Sequence, residues 1–155
     1  MRSTILISAL LLAGTTANGL AQDHKTHATT ADSTQWGPAP AVFPKGAQMA
    51  VLSGDPGKSG PFTVRLKMPA NYKIAAHQHP TYEAVTVISG EFHVGMGDKL
   101  DEAKSQKLGA GGFVDLPAKM NHFAFSKGAT VVQINSEGPF AMTYVNTADD
   151  PSKTQ

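Results

Sequence analysis

The sequence predicts an all-β domain, a barrel or a sandwich. Three observations carry that expectation. Apolar residues recur with period two over short runs, as in Phe62, Val64, Leu66 and Met68 set against Thr63, Arg65 and Lys67. That alternation is the mark of a half-buried strand. Gly- and Pro-rich turns close these runs at close spacing. No stretch offers a long amphipathic helix, and Lys99 to Lys107 has the pattern of a single turn or a polar loop.

In chain order, residues 1–21 read as a secretory signal peptide. Arg2 is followed by a short apolar stretch and a small-residue end, Gly19-Leu20-Ala21, which predicts cleavage after Ala21 and a secreted or periplasmic protein. The rival reading is an uncleaved anchor, but the stretch falls short of the about 20 apolar residues that span a bilayer. No membrane association is expected after cleavage. Residues 22–35 are polar and read as a disordered arm. Its Asp23-His24-Lys25-Thr26-His27 is a weak metal binder at most, and a solvated tail by default. A domain is expected over 36–146, opened by Trp36-Gly37-Pro38-Ala39-Pro40, whose prolines forbid helix. Expected strands follow at Gln48–Leu52, Phe62–Met68, Glu83–Ile88, Phe92–Met96, Phe113–Leu116, His122–Phe125, Thr130–Asn135 and Phe140–Val145. Residues 147–155 read as a flexible tail.

Bulk properties narrow the classes of function. The chain has 155 residues, with 13 basic and 12 acidic ones. Arg2 leaves with the leader, so the mature balance is 12 against 12. Nothing there points to nucleic acid or an anionic membrane. Cysteine is absent, which excludes disulfides, thiolate metal sites, iron–sulfur clusters and cysteine nucleophiles.

The chemistry is concentrated in His77-Gln78-His79-Pro80-Thr81-Tyr82-Glu83, followed later by His122. Residues two apart on a strand share a face, so His77 and His79 can converge on one ion. A turn at Pro80-Thr81-Tyr82 can return Glu83 from the start of the next strand. Three imidazole nitrogens and one carboxylate oxygen suit one divalent transition metal: iron, manganese, nickel, cobalt, copper or zinc. The rival reading is a buried polar cluster without a metal, which would be expensive to satisfy.

These residues resemble a known family. His77-x-His79-x3-Glu83-x6-Gly90 is similar to the first motif of the cupins, with Asn71 where that motif opens on glycine. Gly111-x5-Pro117 followed by His122 resembles the second motif, with Lys119 and Ser126 at positions usually held by Gly and Asn. The resemblance covers about residues 48–145. It implies a double-stranded β-helix, or jelly-roll barrel, with the four ligands at its mouth. It also implies a homodimer and a small-molecule ligand or substrate. Cupins include dioxygenases, decarboxylases, isomerases and sensors, so fold does not settle function. A metal-dependent enzyme on a small oxygenated metabolite is expected, dioxygenase-like first, decarboxylase or isomerase second. The alternative is a non-catalytic binding module. No catalytic residue beyond the ligands is assigned.

Other polar residues receive plainer readings. His93 falls on the opposite face from Phe92 and Val94 and is expected at the surface or an interface. Tyr82 packs or donates a proton. Arg65 is expected to point outwards, its alternative being to bind a substrate carboxylate; Asp115, Gln133 and Asn135 are expected to face solvent, with a metal-bound ligand as the alternative partner of Gln133. Phe62, Met68, Val85, Val87, Phe92, Met96 and Ala124 are expected to line the core, with Phe123 and Phe125 on the other face.

Overall fold

The structure, a computed structural model, describes residues 28–153. The expected signal peptide and the His24–His27 pair lie outside the described residues. Among the described residues, eleven strands form two antiparallel sheets. They are β1 (Gly37–Pro38), β2 (Gln48–Ser53), β3 (Gly60–Met68), β4 (Tyr72–Gln78), β5 (Glu83–Ser89) and β6 (Glu91–Met96), then β7 (Gln106–Gly109), β8 (Phe113–Leu116), β9 (His122–Ser126), β10 (Thr130–Gly138) and β11 (Thr143–Tyr144). One sheet runs β1-β2-β3-β10-β5-β8, the other β11-β4-β9-β6-β7. No described helix is long and apolar enough to cross a membrane.

The two sheets face each other across one core. Its inward side chains include Phe62, Val64, Leu66 and Met68 of β3, Val85 and Val87 of β5, and Val132 and Ile134 of β10, which meet Phe92 and Val94 of β6 and Ala124 of β9. Period-two alternation puts each set on one face. Met96 continues the phase of Phe92 and Val94 but is 45% exposed. It is the last residue of β6, so its expected place in the core is corrected to the strand's open end.

Strand β9 is buried on both faces. Phe123 and Phe125 point away from the main core and form a second cluster with Ala76, against which Leu100 packs. Leu100 belongs to the segment before a 3-10 turn at Glu102–Lys104. His93 shares that outer face, as its phase predicts, but where a surface or interface position is expected it is buried within the chain itself. Its ring stacks on Phe125 at 4.4 Å, and its Nε2 donates to Glu91 Oε1 at 2.8 Å.

The strand expected at Phe140–Val145 is only Thr143–Tyr144. Pro139 and the paths of Phe140 to Met142 keep the preceding segment out of the ladder. Ahead of the barrel, Ala39 to Ala47 forms a strap. The Tyr144 hydroxyl donates to Val42 O at 2.8 Å, and the Tyr72 hydroxyl donates to Pro44 O. Where a flexible tail is expected, 3-10 turns occupy Thr147–Asp149 and Pro151–Lys153.

Candidate metal centre

Two left-handed residues and one bulge build the site. Asn71 and Lys119, which stand where the cupin motifs carry glycine, have φ of 59° and 63°. The turns therefore keep their geometry without the usual residue, at a steric cost. Lys119 donates its N–H to His79 O at 2.8 Å, tying the second motif to the first. Ser126 instead of Asn donates to Pro69 O at 2.9 Å. Gly90 has φ 82°, and a Cβ there would lie 2.4 Å from Ala129 O, so glycine is required at that turn.

The bulge lies in β4. Tyr72 and Ile74 face the core and pair with Ser126 and Ala124. Strict alternation would then bring Ala76 inwards. An irregularity between Ile74 and His77 inserts one extra residue, and His77 pairs with His122 instead. A bulge of this kind re-aims a side chain. His79 lies one residue beyond the end of β4, so the expectation that both histidines sit on one strand face holds only for His77. Thr81 Oγ1 donates to Glu137 O at 2.9 Å, and Ser136 Oγ donates to Tyr82 O. These bonds hold the Pro80–Tyr82 turn against β10 and deliver Glu83 as the first residue of β5.

His77, His79, Glu83 and His122 are all buried. One nitrogen from each of the three histidines falls within 4.8 Å of the others. The carboxylate approaches them too: Glu83 Oε2 is 3.3 Å from His122 Nε2 and 3.6 Å from His79 Nε2. The other ring nitrogens are committed. Nδ1 of His77 lies 2.7 Å from Ala75 O, Nδ1 of His79 lies 2.8 Å from Ala141 O, and Nδ1 of His122 lies 2.9 Å from Met120 O. A carbonyl only accepts, so each Nδ1 carries a proton, which in a neutral ring leaves Nε2 bare. Among the described residues, His79 Nε2 has no hydrogen-bond partner. Three lone pairs and a carboxylate oxygen thus face one another, an arrangement that a cation relieves. Nδ1–H to carbonyl bonds are also how ligating histidines are oriented. The residues present fit a divalent metal.

Protonation states agree with that fit. Burial, then the neighbouring His122 and His79, lowers the pKa of His77 to about 3. Burial also lowers that of His79, against the opposing pull of Glu83. Burial opposes ionisation of Glu83, but the surrounding imidazoles, His122 foremost, outweigh it, and its carboxyl stays below the ordinary range.

The remaining polar candidates lie elsewhere. Tyr82 is exposed. Arg65 Nε donates to Gln133 Oε1 at 3.3 Å across the outer face, and Asn135 Nδ2 donates to Thr63 Oγ1 at 2.8 Å. Asp115 is exposed on the edge strand β8. Phe140, whose ring stacks on His79 at 4.2 Å with an interplanar angle of 14°, was not legible as a site residue. It is 61 positions away in sequence, and no local pattern links the two. The carbonyls of Ala75 and Met120, each two residues before a candidate ligand histidine, follow a repeat that a sequence can show only in hindsight.

Comparisons agree on the architecture. The barrel superposes on the polyketide cyclase RemF from Streptomyces resistomycificus with a TM-score of 0.67, at 14% identity over 83% of this chain and 91% of that one. A proposed acetylacetone dioxygenase from Methylibium petroleiphilum PM1 gives 0.61, at 23% identity over 82% and 85%. An RmlC-like cupin from Shewanella frigidimarina NCIMB 400 gives 0.57, at 17% identity over 74% and 93%. These likenesses are likenesses of fold. No curated protein matches the sequence. The family described as "Domain of unknown function (DUF4437)" matches residues 21–143. That match covers most of a chain folded as the double-stranded β-helix of the cupins, and the chain belongs to this family.

Proposed function

We propose that the chain is an exported, metal-dependent enzyme that acts on a small oxygenated metabolite at His77, His79, Glu83 and His122. One observation carries the reading: three Nε2 lone pairs and the Glu83 carboxylate converge with all three Nδ1 protons already committed. A bound divalent ion would supply Lewis acidity and a template for substrate oxygen. His77, His79 and His122 would hold it in a buried, water-poor position. Glu83 would balance its charge.

Oxidative cleavage by dioxygen is preferred over decarboxylation or isomerisation. The latter two need an acid or base beside the ion. The hydroxyls of Tyr72 and Tyr144 already donate to backbone carbonyls, and Tyr82 is exposed. Glu83 is left as the candidate base among the described residues. The fold shared with a proposed acetylacetone dioxygenase and with a polyketide cyclase supports a substrate of enol or diketone type. The second reading, a non-catalytic binding module, is favoured by the same scarcity of free titratable groups. The protein is further proposed to be a homodimer.

Metal analysis of the mature protein from its native compartment, followed by dioxygen-uptake assays on enols and diketones, decides between them. Metal-dependent uptake supports the enzyme. Tight ligand binding without turnover supports the module.

A further inference from the structure

A cavity lined by apolar side chains lies beside the candidate metal centre. It measures ≈ 450 Å³, within the roughly 300–1,000 Å³ typical of small-molecule sites. Val42 and Phe43 of the strap form one wall, Phe62 of β3 another, and Phe140 and Met142 a third. Among the described residues, no charged or hydroxyl side chain lines it.

Two features place this cavity next to the histidines. Phe43, Ile134 and Met142 also border a smaller interior space of ≈ 20 Å³, whose other walls include His77, Glu83 and His122. Phe140 meets Phe62 edge-on at 5.2 Å and stacks its ring on His79. The aromatic wall of the cavity is therefore packed against a candidate ligand. The strap that closes the cavity is held by the Tyr144 hydroxyl on Val42 O.

We propose that this cavity binds the body of the substrate, a neutral, planar molecule of one or two rings bearing an enol or phenol oxygen. That oxygen is directed past Phe43 and Met142 towards the His77–Glu83–His122 centre. Phe140 and Val42 determine specificity. An anion is selected against, because a carboxylate in this cavity would lose its hydration and find no donor side chain. Ring-shaped ligands are selected because Phe62 and Phe140 present edge and face at aromatic contact distance. The direction of the oxygen rests on the metal-centre reading above; the preference for a neutral, apolar body does not.

The test uses β-naphthol as the probe and β-naphthoate as its anionic counterpart. Both are titrated calorimetrically into the whole protein, with and without added cobalt(II). Neutral β-naphthol is expected to bind with one equivalent, and β-naphthoate about tenfold more weakly or worse. Val42→Asp should weaken β-naphthol by about tenfold while melting temperature and cobalt content hold. Phe140→Ala, read the same way, serves if the first variant does not fold. In the cobalt-loaded protein, β-naphthol should shift the visible absorption bands. Absent β-naphthol binding, equal affinity for the two probes, or indifference to both variants overturns the cavity proposal. Binding without a spectral shift in loaded protein overturns the link to the centre. Failure to load cobalt or any other divalent metal overturns the metal reading instead, and the naphthol–naphthoate contrast in the unloaded protein still decides the cavity.

Discussion

Lys119 illustrates how a single residue can look unsuitable in sequence and still serve the site. Its φ of 63° is a conformation that favours glycine, and its side chain is exposed. Substituting a β-branched residue leaves the contacts of the side chain unimportant and tests the backbone alone. Lys119→Val should lower stability by about 1–2 kcal/mol, whereas Lys119→Gly should not lower it by a comparable amount. Denaturant unfolding of the two variants checks this. The histidines divide in the same way. His122→Ala should weaken divalent metal binding by more than about a hundredfold, the upper end for losing an outer-shell partner. His93→Ala should leave metal content unchanged, because His93 faces Phe125 and Glu91 on the far side of the sheet. Elemental analysis of both proteins separates these outcomes; loss of metal in His93→Ala would contradict the placement.

At the scale of elements, the close approach of β6 and β9 sets the second apolar cluster. Gly95 of β6 sits opposite Phe123. A Cβ at position 95 would lie 2.2 Å from the Phe123 ring, which has no exposed surface. The ring cannot swing into solvent, so the strands must part or the ring must leave its rotamer. Gly95→Ala should therefore destabilise by about 1–3 kcal/mol, read as a lower melting temperature. Restoring space with Phe123→Leu in the same chain should recover part of that loss. The bulge in β4 acts at this scale as well. It supplies the extra residue that turns His77 inwards, and Ala75 within it provides the carbonyl that orients the ring.

For the whole molecule, folding and the protonation of the buried histidines are linked. The pKa of His77 falls from an ordinary 6.5 to about 3 on folding. Below pH about 6.5 the unfolded chain takes up a proton that the folded chain refuses. The stability contributed by neutral His77 is thus present above that pH and is lost as pH falls from about 6.5 towards 3. Protons reach His77 mainly by opening the barrel, so metal release and loss of fold should coincide in one transition. Circular dichroism and a metal-indicator dye, followed in one acid titration, check the coincidence; metal leaving well before the fold would contradict it. At neutral pH, chelator should lower the melting temperature, since a metal bound only by the folded state stabilises that state.

The sequence by itself determined the all-β class and most strand positions. Period-two patterns and Gly or Pro turns are local signals, and β3, β5, β6 and β8 follow them closely. It also singled out His77, His79, Glu83 and His122, because imidazoles and a carboxylate at His-x-His-x3-Glu spacing, with a further histidine in a second motif, stand out without coordinates. Tertiary structure decided the rest. Counting by two from Ile74 sends His77 outwards, and only pairing with β9 reveals the extra residue that reverses it. Alternation placed His93 on the correct face but could not show Phe125 and the covering segment that bury it. The tautomers of the three candidate ligand histidines depend on carbonyls, one of them at Ala141, 62 residues from His79. Such bonds form between segments whose proximity is a property of the closed barrel, not of any local run of residues.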